Sequence, residues 1–305
     1  MANSLGLVQE AAMETFVDSL ANETELYQRC CKVITSPGGT YTLAATNAGG
    51  PAVEVTTAST AVAAQDMTSG SSVITQRAFT HKHTVPWAQL NWSMNLAADA
   101  GAQVANAAAA SLNALYFDNL GALFATAHPS AGAGVGQVGA SKKFIDTGLA
   151  YLQTETGAGT QSNIITAALS ESALESCRQA MRGWKNQRGV IQNLSGPGSE
   201  LALICSPKNE RTAKELITSA LSGADMQVNT FASYSDIVVW PGFTDDDDYF
   251  LVDKKISPVG LWIGESPTMS IKESDDGLFV HFVARYQASF YLKPSAAGII
   301  GSNVP

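Results

Sequence analysis

Residues 35–76 constrain what this chain can fold into more than any other stretch. They hold only two charged side chains, Glu54 and Asp66, and are dominated by Thr, Ala, Gly, Ser and Val. Three short β-prone pieces, 40–45, 52–57 and 72–76, are separated by turn signals at Pro37-Gly38-Gly39, Asn47-Ala48-Gly49-Gly50-Pro51 and Ser69-Gly70-Ser71. None of the pieces carries the large apolar side chains expected to anchor it to its own domain. A two-stranded ribbon is marginal alone in water, and a long, barely charged edge invites pairing with another chain. Two readings follow from these residues: a surface insertion without fixed structure, or a projecting hairpin that becomes ordered on a neighbour.

Composition bears on that choice. The 305 residues are 45% apolar, ample for a real core. Lys and Arg total 18 and Asp and Glu 27, so 18 − 27 gives a net charge of −9. Phosphate contacts and anionic membranes both call for Lys and Arg, so neither nucleic-acid binding nor electrostatic membrane attachment is expected. Charged residues make up only 15%, against roughly a quarter in a typical soluble domain. Either the protein is a monomer with an unusually neutral surface, or copies of itself cover much of that surface.

No run approaches the roughly 18 apolar residues of a membrane helix. Met1-Ala2-Asn3-Ser4 lacks a basic start, and Glu10 and Glu14 interrupt the first apolar run, so no secretory signal is expected. Cys30, Cys31, Cys177 and Cys205 form neither CxxC pairs nor a catalytic signature. They read as buried free thiols in a reducing compartment.

Periodicity orders the rest. Residues 5–29 form an amphipathic helical pattern, with Leu7, Ala11, Phe16, Leu20 and Tyr27 near one face, and sit ahead of any evident core as an arm. Residues 77–85 alternate as a strand, and Pro86 opens a short helical turn carrying Trp87 and Trp92. A long helix is expected over 94–127, with Leu96, Ala100, Val104, Ala108, Leu112, Leu115 and Leu123 inward and His128-Pro129 ending it. Further helices are expected at 142–153 and at 170–187, the latter with Ser170 as N-cap and Gly189 as C-cap. Residues 200–205 read as a buried strand, after which Ser206 and Pro207 start a helix to about Leu221. Strands follow at 237–240, 249–252, 260–263, 268–272 and 278–292, with a hairpin turn at Asp276-Gly277. This is an α+β plan.

The candidate chemistry is thin. Residues 134–139 spell GxGxxG but follow a helix and lack a βαβ context. His81 and His83 would share a strand face, yet no carboxylate or Cys stands at a suggestive spacing. His128 reads as a helix-end residue and His281 as a strand residue. Asp245–Asp248 lacks the spacing and glycine of a calcium loop and reads as a solvated turn. Arg182, Lys185 and Arg188 around Trp184 form the one basic-aromatic cluster, read as a helix end facing an acidic neighbour. No nucleophile, base and orienter assemble, so no catalytic residue, cofactor or metal is expected.

The order of segments carries a resemblance. An arm, a Thr/Ala/Gly-rich hairpin and the passage Arg77-Ala-Phe-Thr-His-Lys-His-Thr-Val-Pro-Trp-Ala-Gln-Leu lead straight into the long helix. Leu201-Ala-Leu-Ile-Cys-Ser-Pro-Lys-Asn-Glu-Arg-Thr-Ala-Lys-Glu-Leu makes a strand-to-helix step, and 278–294 lead to Ala296-Ala297-Gly298. The whole resembles the major capsid proteins of tailed bacteriophages, the Hong Kong 97 type of fold, with the Mu-like head-subunit branch as a narrower placement. The resemblance implies an N-terminal arm (1–33), an extended E-loop hairpin (34–80), a P domain with a spine helix (81–160), an A domain (161–255), P-domain strands (256–295) and a C-terminal A-domain segment (296–305).

It further implies an icosahedral shell enclosing a double-stranded DNA genome without binding it specifically. Its partners would be copies of itself as hexamers and pentamers, a portal and decoration proteins, in the virion and, during assembly, the host cytoplasm. The chain enters the arm almost at once, so a separate scaffolding protein, or a fragment lost before this numbering, is expected. Residues 35–76 contain no Lys, so a shell without covalent cross-links is expected. Glu54, Asp66, Arg77, Lys82, Phe16 and Trp184 are the expected inter-subunit contacts. An encapsulin-like compartment enclosing a cargo protein is the alternative. A surface adhesin would need an export signal, and an enzyme would need His81, His83 and nearby acids to cluster.

Overall fold

The computed structural model describes residues 2–22, 26–46, 69–90, 94–129, 141–150, 160–185, 191–195, 200–218, 221–222, 227–228, 235–293 and 295–303. In chain order, helix α1 (Ala2–Asn22) and a 3-10 turn (Leu26–Arg29) precede strands β1 (Ile34–Thr35), β2 (Thr40–Thr46), β3 (Ser69–Thr75) and β4 (Arg77–Pro86). The short α2 (Trp87–Leu90) and the long α3 (Met94–Gly121) follow, then β5 (Leu149–Ala150), β6 (Thr160–Gln161), β7 (Ile164–Ile165) and α4 (Glu171–Gly183). Next come β8 (Leu201–Cys205), α5 (Glu210–Thr218), β9 (Leu221–Ser222), β10 (Gln227–Val228), β11 (Ser235–Val239) and β12 (Tyr249–Asp253). The long hairpin β13 (Val259–Glu273) and β14 (Phe279–Leu292) and the closing β15 (Ile299–Ser302) complete the fold.

Two sheets organise these elements. The first runs β1-β13-β14-β4 and the second β11-β8-β12-β15-β7. In the second, every residue of β8 and β12 is buried, so both read as short apolar runs without alternation. α5 lies in the connection from β8 to its parallel neighbour β11. β15 pairs antiparallel with β12 and parallel with β7, so the chain's last strand closes the sheet that contains β8.

α3 joins the two halves. Over about 42 Å its first part packs with α1 and the first sheet through Ala97, Ala100, Val104 and Ala105. Its second part, from Ala108 to Leu120, enters the main core with β8, β12 and α4. Small side chains set the α1–α3 spacing: a Cβ on Gly101 would lie 2.4 Å from the Ala12 carbonyl oxygen. Ala12 and Phe16 seal that contact.

Several elements differ from expectation for identifiable reasons. The arm helix stops at Asn22 and not at 29. Tyr27, Cys30 and Cys31 turn into the core, and the Tyr27 N–H donates to Asn113 Oδ1 at 3.3 Å. The helix expected at 142–153 does not form over the described residues: Asp146 accepts from the Lys143 and Thr147 N–H groups, and Gly148 takes φ +65°. α4 is capped by Ser170 as expected, its Oγ accepting from Ala173 N at 3.2 Å. It ends at Gly183 because Gln161 takes both backbone groups of Lys185, each at 3.0 Å. Ser206 precedes its helical turn but caps nothing; its hydroxyl donates to the Asp246 carbonyl. The strands expected at 260–263 and 268–272 are one strand, β13, with two register shifts between Ile263 and Thr268. The Asp276-Gly277 turn forms as expected, with Gly277 at φ +68°.

Candidate assembly surfaces

The hairpin stands apart from both large sheets. β2 and β3 pair antiparallel from Thr40↔Thr75 out to Thr46↔Ser69, as a two-stranded sheet of their own. Among the described residues the anchoring contacts are at the root. Ile74 is buried with Trp262 and Tyr291, packed by Ile34; Trp262 Nε1 donates to the Ser36 carbonyl at 3.0 Å, and Gln76 N–H to the Gly39 carbonyl at 3.1 Å. Gln76 also lies across Gly264: with its amide oriented to satisfy its neighbours, it accepts from Gly264 N at 2.8 Å and donates to Gln287 Oε1 at 3.0 Å. This corrects the expectation that the hairpin has no apolar anchor. One isoleucine holds the root, and immediately outward Val73 is 67% exposed. An open groove of about 350 Å³ lies beside the root, lined by Val73, Thr75, Arg77, Ser289, Phe290 and Leu292.

The arm offers a second surface. Ala12 and Phe16 face α3, whereas Leu7, Met13 and Val17 are exposed beside the exposed Glu10, Glu14 and Asp18. After the arm, a strap crosses the molecule. Arg29 donates to both Asp236 carboxylate oxygens and to the Ile237 carbonyl, Lys32 N–H to Ser257 Oγ at 2.9 Å, and Tyr291 Oη to the Lys32 carbonyl at 2.9 Å. The hydrogen bond from Arg29 to Asp236 raises the guanidinium's pKa. Partial burial works against the Asp236 carboxylate, but Arg29 and Lys254 outweigh it and hold its pKa below the usual range. The strap ends in β1, parallel to β13, directly before the hairpin.

Of the expected contact residues, Lys82 and Arg77 are exposed on β4. Glu54 and Asp66 lie outside the described residues. Phe16 is 3% exposed and Trp184 6%, both packed inside their own chain. Of the basic cluster around Trp184, Arg182 and Lys185 are half-buried and Arg188 lies outside the described residues.

The candidate chemical groups do not converge. The four cysteines are free and buried. Burial pushes Cys31 and Cys177 up to about 12 and Cys205 to about 11, far from reactive thiolates. His128 is buried against Phe144, and burial lowers its pKa to about 4. His81 and His83 stand opposite Ala284 and Phe282. Asp247 pairs with Lys208 at 2.7 Å, and the Asp246 and Asp247 carbonyls accept from Asn209, so this loop is tied to its neighbours. Among the described residues no group of three or more His, Cys, Asp or Glu could hold a metal. None of their helices is long and apolar enough to cross a membrane. The GxGxxG stretch lies outside the described residues.

Residues 88–294 match a family described as phage capsid protein. The chain belongs to that family. The match covers α3, the β13–β14 hairpin and every strand of the second sheet except β15, and leaves out β1 and β4 of the first. It reaches the family and not its Mu-like branch.

This capsid protein also shares its fold with solved shells. A virus-like particle from Pyrococcus furiosus matches at TM-score 0.54 and 11% identity, covering 96% of this chain and 98% of the other. The capsid of Cyanophage P-SCSP1u matches at 0.53 and 12%, over 90% and 86%. A Mycobacterium phage Patience structure matches at 0.53 and 12%, over 97% and 88%. No curated protein matches the sequence significantly. The Hong Kong 97-type α+β fold is therefore the fold of this chain, which is a major capsid protein. Family and neighbours mark a structural protein that self-associates into capsid shells in the virion. The encapsulin alternative is not favoured, although one neighbour is an archaeal virus-like particle.

Sequence reasoning missed the root anchor and the Arg29–Asp236 clasp. Ile74 was legible as the one large β-branched residue of its piece; the clasp joins residues 207 positions apart and left no local signal.

Proposed function

We propose that this capsid protein closes an icosahedral shell of hexamers and pentamers around double-stranded DNA, with the hairpin as the element that reaches a neighbouring copy. The observation that carries this reading is the ribbon beyond Ile74: two strands, no second layer among the described residues, and an exposed valine. Such a ribbon lacks independent stability until something covers it.

On this reading residues 1–33 are the arm, 34–80 the E-loop, 81–160 and 256–295 the P domain, and 161–255 with 296–305 the A domain. The β15–β12 pairing supports grouping the last segment with 161–255. Glu54 and Asp66 of one copy meet Arg77 and Lys82 of the next. The shell assembles in the host cytoplasm on a separate scaffolding protein, carries a portal and decoration proteins, and holds without covalent cross-links. The net charge of −9 suits a wall that releases the DNA it encloses.

The test is to replace residues 43–72 by Asn-Gly, which joins Thr42 to Val73, a cross-strand pair of the ladder, and keeps Ile74 in place. The reading expects a folded protomer that builds no shells by electron microscopy. Normal shells from this variant would overturn it, and denaturing gels showing ladders above monomer mass would overturn the absence of cross-links.

A further inference from the structure

A single residue, Gln76, separates the ribbon strand β3 from β4. β4 pairs with β14 as far as Arg77↔Ala288, and there the ladder stops although the chain runs on along both sides. Carried further, the same register would set Thr75 opposite Phe290 and Val73 opposite Leu292. These four residues instead line the open groove beside the root. In an antiparallel ladder, successive residues turn their N–H and C=O to opposite neighbours. Lys293 N–H donates to the Pro258 carbonyl at 2.8 Å, so Lys293 and Tyr291 face β13, and Phe290 and Leu292 face away from it. Gln76 N–H donates to the Gly39 carbonyl, so Ile74 faces β2, and Thr75 and Val73 face away. The groove therefore separates two strand edges that match in register and in hydrogen-bonding direction.

The Gln76 side chain stands between those edges and closure. β13 shifts register between Ile263 and Glu265, which leaves Gly264 without a partner residue in β14. The Gln76 amide reaches over β14 to that residue, accepting from Gly264 N and donating to Gln287 Oε1 and to the Gly38 carbonyl. A Cβ on Gly264 would overlap the amide, so the bulge admits this strut only because it holds a glycine. Strands stand about 4.8 Å apart, so a residue in line beside β14 lies two spacings from β13. That is farther than one glutamine side chain and a hydrogen bond span. To keep its amide on Gly264, Gln76 has to leave the edge of β14 and ride over the face of the sheet, and β3 leaves with it.

We infer that Gln76 is the positioning residue of the hairpin: its amide holds β3 off β14, and without it β3 closes onto β14, pairing Thr75 with Phe290 and Val73 with Leu292. Ile74 already packs with Tyr291, the residue it would stand opposite in the closed register, so it serves as the pivot. Closure would cover the exposed Val73 and let the two facing pairs exchange backbone hydrogen bonds. It would also turn the ribbon into line with β4, as a continuation of the first sheet. A separate peptide could use the same edges, but β3 is tethered to β4 through one residue and wins that competition by its local concentration. The inference rests on the shell reading, in which the direction of the ribbon decides whether it meets a neighbouring copy.

The experiment uses the full-length protein carrying Val73→Cys and Leu292→Cys; its four native thiols are buried. Opposed residues that exchange hydrogen bonds lie about 5.5 Å apart at Cα, within reach of a disulfide. In dissociated protomers, Gln76→Ala should speed this cross-link roughly tenfold or more over the same cysteines with Gln76 intact. Gly264→Ala keeps the glutamine but evicts its amide, and should match Gln76→Ala. Gln76→Glu still accepts from Gly264 N, and should keep the slow rate and build shells. Protomers cross-linked in the closed register should build none by electron microscopy. Either alanine variant cross-linking at the slow rate would overturn the inference, whatever the shells do, as would Gln76→Glu cross-linking as fast as Gln76→Ala. Fast cross-linking in the alanine variants together with normal shells from cross-linked protomers would uphold the role of Gln76 and overturn the shell reading.

Discussion

The five-stranded sheet and the hairpin ribbon are both made of short strands, yet they are completed differently. β8 and β12 are buried along their whole length, flanked on both edges by strands of the same chain. Among the described residues β2 and β3 pair only with each other, and after Ile74 the ribbon exposes Val73. The first region is finished by folding and the second is left for assembly. A substitution should therefore hurt the folded protomer or the shell according to which region it strikes.

The largest effect is expected in the finished region. Phe250 in β12 is fully buried and packs on Phe124 and Phe243, so Phe250→Ala should cost about 3–5 kcal/mol of protomer stability, read by chemical denaturation. An unchanged denaturation midpoint would show that this sheet does not carry the protomer's stability. Next is Ile74→Ala, at about 2–4 kcal/mol, which should loosen the hairpin root and abolish shells together. Loss of shells without any loss of protomer stability would move the root out of the folded core and weaken the contrast.

Gly101→Val sharpens the comparison on the arm. Its Cβ would meet the Ala12 backbone oxygen at 2.4 Å, and overpacking of this kind costs about 1–3 kcal/mol. Limited proteolysis should then cut within residues 2–22 while the rest of the chain resists; a resistant arm would contradict the close approach of α1 to α3.

The smallest effect belongs to the Arg29–Asp236 clasp, whose side chains are 44% and 32% exposed. Arg29→Ala should cost about 0.2–1 kcal/mol, less at high salt. Asp236 has a depressed pKa in the folded state. Its contribution is therefore present above the unfolded carboxylate pKa of about 3.9 and is lost as pH falls through the lower folded value. Stability measured from pH 6 down to pH 3 should converge for Arg29→Ala and the unchanged protein; a constant gap across that range would remove the carboxylate from the account.

Much of this was legible in the sequence because the responsible signals are local. Ser170 at the start of α4, the Asp276-Gly277 turn and the apolar run of β8 each act within a few residues. The long helix was legible from its inward Ala and Leu spacing, although it ends at Gly121, before the expected 127. What escaped was set by partners far along the chain. The break after Asn22 answers to Asn113 and the core that Tyr27 enters, and the early end of α4 to Gln161. Phe16 and Trp184 look like contact residues in isolation, and only packing shows that their own chain uses them.

Hydrogen–deuterium exchange of residues 40–46 and 69–73, compared between dissociated protomers and assembled shells, tests the central claim most directly. The account predicts rapid exchange in the protomer and protection at least roughly tenfold greater in the shell, with β8 and β12 equally protected in both states. A ribbon as slow to exchange in the lone protomer as in the shell would contradict it.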